Sequence, residues 1–97
     1  MGRLPANVGV RAVAVDPDWP QKVYAAADAG VYRSEDGGQN WRAAGQGMPD
    51  GAVAAVALDA RQPQRVYAAT AAGAVYLSED GASTWRLLAG RDAAAAR

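Results

Sequence analysis

Apolar residues in this chain occur in short runs instead of at helical spacing. Two runs, Val10–Val15 and Val53–Leu58, consist almost entirely of valine, alanine and leucine, and each is followed by an aspartate. Runs of this length and composition predict β-strands. Because nearly every position is apolar, we expect both strands to be covered on both faces. A Val-Tyr pair begins each of two further segments, Val23–Ala27 and Val66–Thr70, which predicts a second strand after each run.

Turn residues then divide the chain into further strands. A glycine precedes or lies close to the start of each of the segments Val31–Ser34 and Val75–Ser78, which predicts third strands. Both are followed by Glu-Asp-Gly, and the Asp-Gly pair is a strong signal for a hairpin turn. We therefore expect a fourth strand to start near each of the next tryptophans, Trp41 and Trp85.

The two halves of the chain, residues 10–42 and 53–86, are copies of one sequence. Equivalent positions lie 43 residues apart as far as Ala74, an inserted residue, and 44 apart after it. A period of about 43 residues is typical of the four-stranded blades of a propeller and exceeds that of ankyrin or tetratricopeptide repeats. The sequence therefore predicts an all-β protein made of two four-stranded antiparallel sheets.

One eight-residue motif recurs between the third and fourth strands. It reads SEDGGQNW at 34–41 and SEDGASTW at 78–85. Serine and aspartate side chains can bond the amides of a tight turn, glycine permits positive φ, and tryptophan fills apolar space beneath. The motif resembles the Asp-box, Ser/Thr-x-Asp-x-Gly-x-Thr-Trp, of sialidase-like BNR-repeat propellers. The residues assigned to it are Ser34, Asp36, Gly38, Trp41, Ser78, Asp80, Gly81 and Trp85.

This resemblance extends over nearly the whole chain and implies that each copy is one propeller blade. Two positions depart from the family pattern: Ala82 stands where the first copy has Gly38, and Asn40 stands where the family usually has threonine. The alanine implies some strain in the second turn. Sialidases, xyloglucan-active glycosidases, sortilin-type receptors and photosystem II assembly factors share this blade. The resemblance therefore implies a fold and no single activity.

We divide the chain into a first blade with its leading inter-blade connection (1–47), a second blade (48–92) and an alanine-rich tail (93–97). The sequence Leu4-Pro5 resembles Met48-Pro49, which suggests that the chain begins with an inter-blade connection and continues through two whole blades. WD40 and kelch blades are the structural alternatives. No Trp-Asp dipeptide closes a repeat, and the kelch period is longer, at about 50 residues, so both are disfavoured.

Composition excludes several classes of function. Ten basic residues balance ten acidic ones, so no long-range field attracts nucleic acid or an anionic membrane, and we expect neither partner. The chain has no cysteine and no histidine, which removes thiolate and imidazole metal ligands and the commonest general base. We predict no metal and no cofactor. There is no apolar run of membrane-spanning length and no targeting signal, so the localisation stays open.

Candidate site residues are those that only one copy contains, because residues present in both are best explained as scaffold. Asp18, Asp28, Asp50 and Asp92 are the unmatched acids, and Trp19 is the unmatched aromatic residue. A glycosidase needs two carboxylates about 5–9.5 Å apart, whereas the first two aspartates lie at opposite ends of the second strand. We therefore predict no catalytic residues. Trp19, Asp18 and Asp28 remain candidate ligand contacts.

Trp19 has two interpretations. In the one we prefer, it covers a blade edge or packs against a neighbouring blade. In the other, it stacks on a sugar ring or fills a groove on a partner, so that carbohydrate is a candidate ligand.

Two blades are too few to close a propeller, which needs about 4–8. We expect homo-oligomerisation to complete the ring, with six or eight blades preferred, that is, a trimer or a tetramer. The predicted function is a self-assembling propeller module with a structural or ligand-binding role and no catalysis of its own. As an alternative, the chain is a fragment of a larger Asp-box glycoside hydrolase or sialidase-like protein whose catalytic residues lie elsewhere. An engineered propeller building block is also open.

Overall fold

The structure, a computed structural model, describes residues 9–48 and 51–90, in which eight strands form two separate four-stranded antiparallel sheets. The first sheet contains β1 (Val10–Val15), β2 (Val23–Ala27), β3 (Gly30–Ser34) and β4 (Arg42–Ala43). The second sheet contains β5 (Val53–Leu58), β6 (Val66–Thr70), β7 (Ala74–Ser78) and β8 (Arg86–Gly90). In both sheets the spatial order of the strands is their order along the chain. The expected connection at Leu4-Pro5, the boundary at Pro49, the acids Asp50 and Asp92, and the tail at 93–97 lie outside the described residues.

The all-β prediction is confirmed, and the first two strands of each sheet have the predicted bounds. The third strands each begin one residue earlier than predicted, and the fourth strands begin directly after the tryptophans. The register is also repeated. Val13 lies opposite Ala25 in the first sheet as Val56 lies opposite Ala68 in the second. Equivalent residues of the two sheets therefore occupy equivalent places.

The core lies between the two sheets. Small alanines on β2 and β6 allow the sheets to approach, and larger tyrosine, valine and tryptophan side chains fill the remaining space. Burial of one such large side chain is worth about 1.5–3 kcal/mol. The buried cluster consists of Tyr24, Ala26, Val31, Ala44, Val53, Val56, Val66, Ala68, Ala74, Tyr76, Ala82 and Trp85.

The prediction that the innermost strands are covered on both faces is wrong for this chain. Ala12 and Ala14 of β1 pack against the core, but Val13 and Val15, which alternate with them, are exposed. Successive side chains of a strand point to opposite faces, and the first sheet has only one neighbouring sheet. One face of each innermost strand is therefore left open.

Candidate functional site

The turn between β3 and β4 is organised around one carboxylate. The hydroxyl of Ser34 donates to Asp36 Oδ1 at 2.8 Å and accepts from the amide of Gly38 at 2.9 Å. Asp36 Oδ1 also accepts from the amides of Gln39 and Asn40, at 3.0 and 2.8 Å. Because these bonds are all internal to the turn, the Ser34 and Asp36 side chains maintain its shape.

The turn between β7 and β8 repeats this network. Ser78 Oγ donates to Asp80 Oδ1 at 2.7 Å and accepts from the amide of Ala82 at 2.8 Å. The hydroxyl of Thr84 donates to the second carboxylate oxygen at 2.7 Å, as the side-chain amide of Asn40 does in the first turn at 2.6 Å. Ala82 has a φ of 73°, a left-handed conformation that disfavours any residue with a Cβ. The alanine at this position is thus in a strained conformation.

The carboxyl groups of both turns have lowered pKa values. Hydrogen bonds, first that from the Asn40 side chain, lower the pKa of Asp36 from 3.8 to about 2. The Thr84 hydroxyl is the largest cause of the equivalent shift, which lowers the pKa of Asp80 to about 2. A group with such a pKa is ionised at neutral pH and is unsuited to serve as a general acid or base there.

The two equivalent tryptophans make different hydrogen bonds. The indole Nε1 of Trp85 donates to the carbonyl oxygen of Ala44 at 2.6 Å, and the amide of Trp85 donates to that of Gln46 at 3.0 Å. Both acceptors belong to the segment that leaves the first sheet. Trp41 Nε1 instead donates to Gly38, within its own turn, at 2.9 Å. Of these two tryptophans, therefore, only Trp85 connects the two sheets by a hydrogen bond.

A second polar connection between the sheets comes from Arg33. Its Nη1 donates to the carbonyl oxygen of Gly81 at 2.7 Å, and the guanidinium also forms an ion pair with Glu35. The equivalent position in the second copy is Leu77. Sequence reasoning missed Arg33, although this mismatch between the copies was the signal that identifies it.

Tyr24 lies beside this connection, with its hydroxyl 3.5 Å from the same carbonyl oxygen of Gly81. Burial raises its pKa.

Trp19 lies on the turn between β1 and β2, and the residue is 62% exposed. Its amide donates to Asp16 Oδ1 at 3.1 Å. A shallow groove of about 440 Å³ lies beside the indole, and Lys22, Arg33 and Glu35 line it together with Gln21. Most of the residue is uncovered in this chain, and both interpretations of Trp19, as a cover for a blade edge or neighbouring blade and as a ligand contact, stay predictions.

The two candidate carboxylates are not brought together. Asp18 lies in the turn before β2, and Asp28 follows the last residue of that strand. Five residues of strand at about 3.3 Å each separate them. Asp28 instead accepts from Arg11 Nε at 2.7 Å in an exposed ion pair. The structure brings neither aspartate to the groove beside Trp19.

Within 9–48 and 51–90, no three acidic side chains are grouped as metal ligands would be. The same residues include no helix long and apolar enough to cross a membrane.

No protein-family model matches the chain, and no curated protein matches it. Several solved structures do match the chain. The GH74 xyloglucanase from Xanthomonas campestris superposes with a TM-score of 0.66, at 26% identity, over 86% of this chain and 15% of that one. An ancestral GH74 enzyme gives 0.70 at 25% identity, over 91% of this chain and 14% of that one. YCF48 from Cyanidioschyzon merolae gives 0.68 at 15% identity, over 91% and 29%.

The GH74 enzymes and YCF48 are both β-propellers. The likeness to YCF48, at 15% identity, bears on the fold alone. The chain spans about 15% of the length of the xyloglucanase and 29% of that of YCF48. Together with the two repeated sheets, these likenesses assign the chain the fold of part of a β-propeller.

Proposed function

We propose that the chain is a self-assembling β-propeller module, whose copies stack head to tail into a closed ring and which has a structural or ligand-binding role without catalysis of its own. One observation carries this proposal. Val13 is 56% exposed, whereas its counterpart Val56 is only 9% exposed because it packs against the first sheet. The same surface is thus buried in one copy of the repeat and open in the other.

The open face of the first sheet reproduces the surface that the second sheet buries. Val13, Ala25 and Tyr32 lie opposite one another in the register of β1, β2 and β3, so they share a face. On this face Val13 is exposed and Tyr32 partly exposed, whereas the small Ala25 is buried. The counterpart of Tyr32 is Tyr76, which lies in the core between the sheets. A neighbour with the same surface that the first sheet presents to the second sheet would therefore fit against this open face.

The second sheet offers that neighbour. Ala55 and Ala57 of β5 are exposed, whereas their counterparts Ala12 and Ala14 pack against the core. The open face of the second sheet therefore has the same small side chains that the first sheet packs against the second sheet. Joining the second sheet of one copy to the first sheet of the next repeats the contact already present inside the chain.

Such a head-to-tail contact uses two different surfaces and closes into a ring when its rotation divides a full turn. Every junction in the ring would then be the same kind of contact between sheets. The hydrogen-bonded turns at 34–41 and 78–85 support assignment to the Asp-box propellers. That family favours six or eight blades, and we therefore propose a trimer or a tetramer.

The mass of the assembly in solution tests the proposal. Light scattering or sedimentation velocity is expected to give three or four times the chain mass of 10.0 kDa. Val13→Asp places a charge on the open face and is expected to reduce the mass to that of one chain without loss of β structure. Gln62→Asp, which adds the same charge on an exposed loop, serves as the control. If the wild-type chain is a folded monomer at all concentrations, the proposal is wrong.

A second candidate is favoured by one comparison. The chain matches the GH74 xyloglucanase at 26% identity but spans only 15% of its length. Under this candidate, the chain is part of a longer glycoside hydrolase, and further blades of the same polypeptide cover both open faces. Further copies of the Ser-x-Asp-x-Gly-x-x-Trp motif in the same reading frame, together with a monomeric 97-residue chain, would favour it.

A further inference from the structure

Trp85 donates two hydrogen bonds across the junction between the two sheets. The indole donates to Ala44 and the amide to Gln46, both in the segment that leaves β4. The indole is buried, with the residue 5% exposed. A buried indole N–H requires an acceptor, since it otherwise loses its bond to water without replacement. This pair of bonds, together with the packed core and the bond from Arg33 to Gly81, therefore helps to fix the position of one sheet relative to the other.

The first sheet has the same donor but lacks the corresponding acceptor in front of it. Trp41 is only partly buried, and its indole donates back to Gly38 in its own turn. This bond satisfies the N–H without any contact to another sheet. Without a sheet on the open face, the Trp41 N–H therefore takes an acceptor in its own turn.

The second sheet has the corresponding acceptor on its open side. The counterpart of Ala44 is Leu88, an exposed residue of β8. Between Tyr76, opposite Leu87, and Val75, opposite Ala89, the register shifts, so Leu88 is the extra residue of a β-bulge. A bulged residue is left out of the pairing between its strands. Its main-chain carbonyl is therefore the counterpart of the one that accepts from Trp85.

We infer that the Trp41 indole of one copy donates to the Leu88 carbonyl of the preceding copy, and that this bond helps to position the copies in the ring. The inference rests on the proposed self-assembly. On assembly the indole exchanges its bond to Gly38 for one across the junction, which makes Trp41 equivalent to Trp85. We therefore expect a second copy of this chain to cover the surface formed by β8 and the β7–β8 turn.

One difference makes the junction between copies weaker than the junction within a chain. Arg33 donates to Gly81 across the internal junction, but its counterpart Leu77 has no donor for the corresponding carbonyl, that of Gly37. The junction between copies thus lacks one charge-assisted hydrogen bond. We expect the ring to come apart into folded single chains on dilution before those chains unfold.

Trp41→Phe tests the inference, because it removes the N–H and keeps an aromatic ring. In the free chain Trp41 is only partly buried, so water can replace its bond to Gly38, whereas in the ring the Leu88 carbonyl would lose its donor. The dissociation constant of the assembly, measured by sedimentation over a range of concentrations, is therefore expected to rise at least about tenfold, while the melting temperature of the dissociated chain stays within a few degrees of wild type. Trp85→Phe is the matched variant. It removes the internal bond and is expected to lower the melting temperature of the single chain.

A spectroscopic readout covers the case in which a variant does not fold. In ¹⁵N-labelled wild-type protein, the indole N–H of Trp41 is expected to shift and to gain protection from exchange as concentration rises, whereas that of the exposed Trp19 does not. If the wild type assembles but Trp41→Phe assembles equally well, or the Trp41 signal is independent of concentration, the inference is overturned and self-assembly stands. A wild type that never assembles overturns both.

Discussion

The carbonyl oxygen of Ala44 accepts a hydrogen bond from the indole of Trp85 across the junction between the two sheets, at 2.6 Å. The donor belongs to the repeated turn motif, and the acceptor belongs to the segment that connects the copies. The motif residue therefore contributes to the junction as well as to its own turn. The same segment also lies against the main chain of Trp85 at Gly47, where there is no room for a Cβ.

Gly47→Ala is predicted to be strongly destabilising. Gly47 has a φ of +100°, and a Cβ at this position would overlap the main-chain carbonyl oxygen of Trp85. Conformational strain and the displaced backbone act together, so we expect the free energy of unfolding to fall by more than about 2 kcal/mol. Urea denaturation of the chain at low concentration measures the loss.

Gly51→Ala separates these two causes. Gly51 also has a positive φ, +138°, but a Cβ there would meet open space. Only the conformational cost remains, so its effect should be clearly smaller than that of Gly47→Ala. Equal losses for the two variants would mean that the approach to Trp85 is not what requires glycine in the connecting segment.

Arg33→Leu is predicted to weaken the internal junction by converting it to the residue of the second copy. The change removes the 2.7 Å bond to Gly81 and leaves the apolar part of the side chain in place. A hydrogen bond from a charged donor contributes about 1.5–3 kcal/mol, and thermal or urea unfolding should show a loss in that range. Arg42→Leu changes an exposed arginine and is expected to alter stability by less than about 0.5 kcal/mol. Similar losses for both would contradict a specific role for Arg33.

Acid is predicted to destabilise the turns in a defined range of pH. The pKa values of Asp36 and Asp80 are lowered in the folded chain to about 2 from an ordinary 3.8. The unfolded chain therefore binds more protons between these values, so this stabilisation is complete above pH 3.8 and is lost as pH falls towards 2. The melting temperature should fall across that interval.

The double variant Asp36→Asn, Asp80→Asn tests the assignment of this acid effect. Because its turns have no carboxylate to protonate, it should be less stable than wild type at pH 7 and should lose less stability on acidification. Parallel losses in the two proteins between pH 4 and pH 2 would show that other groups control the response to acid.

The fold was largely predictable because each strand and turn of the blade occurs twice in the sequence, once in each copy. The Val-Tyr pairs that begin β2 and β6 lie 43 residues apart and the Asp-Gly turns 44 apart, so the pattern of each copy supports that of the other. The exposure of Val13 was not predictable in this way. Its local sequence matches that of the buried Val56, and the difference depends only on whether another sheet lies beside it. Likewise, the mismatch between Arg33 and Leu77 was visible in the sequence, but its acceptor on the other sheet was not.

Trp19 is predicted to serve in ligand binding and not in the stability of the fold. Its counterpart on an equivalent turn is Gln62, so the backbone turn does not require an aromatic side chain. An exposed indole beside the polar groups of the groove suits the apolar face and hydroxyl edge of a sugar ring. We therefore expect binding on a glycan array, and we expect Trp19→Ala to abolish that binding while leaving assembly mass and melting temperature unchanged.

Gln62→Ala is the matched control, because it truncates the equivalent side chain on the second sheet and should preserve saccharide binding. Lys22→Ala adds information about the ligand. Lys22 lines the groove and has no ion pair among the described residues, so loss of its charge should weaken binding of acidic saccharides more than that of neutral ones. Binding that survives Trp19→Ala would place the saccharide elsewhere. A lower melting temperature in Trp19→Ala than in Gln62→Ala would instead make the indole a structural residue, covered by the next blade of the ring.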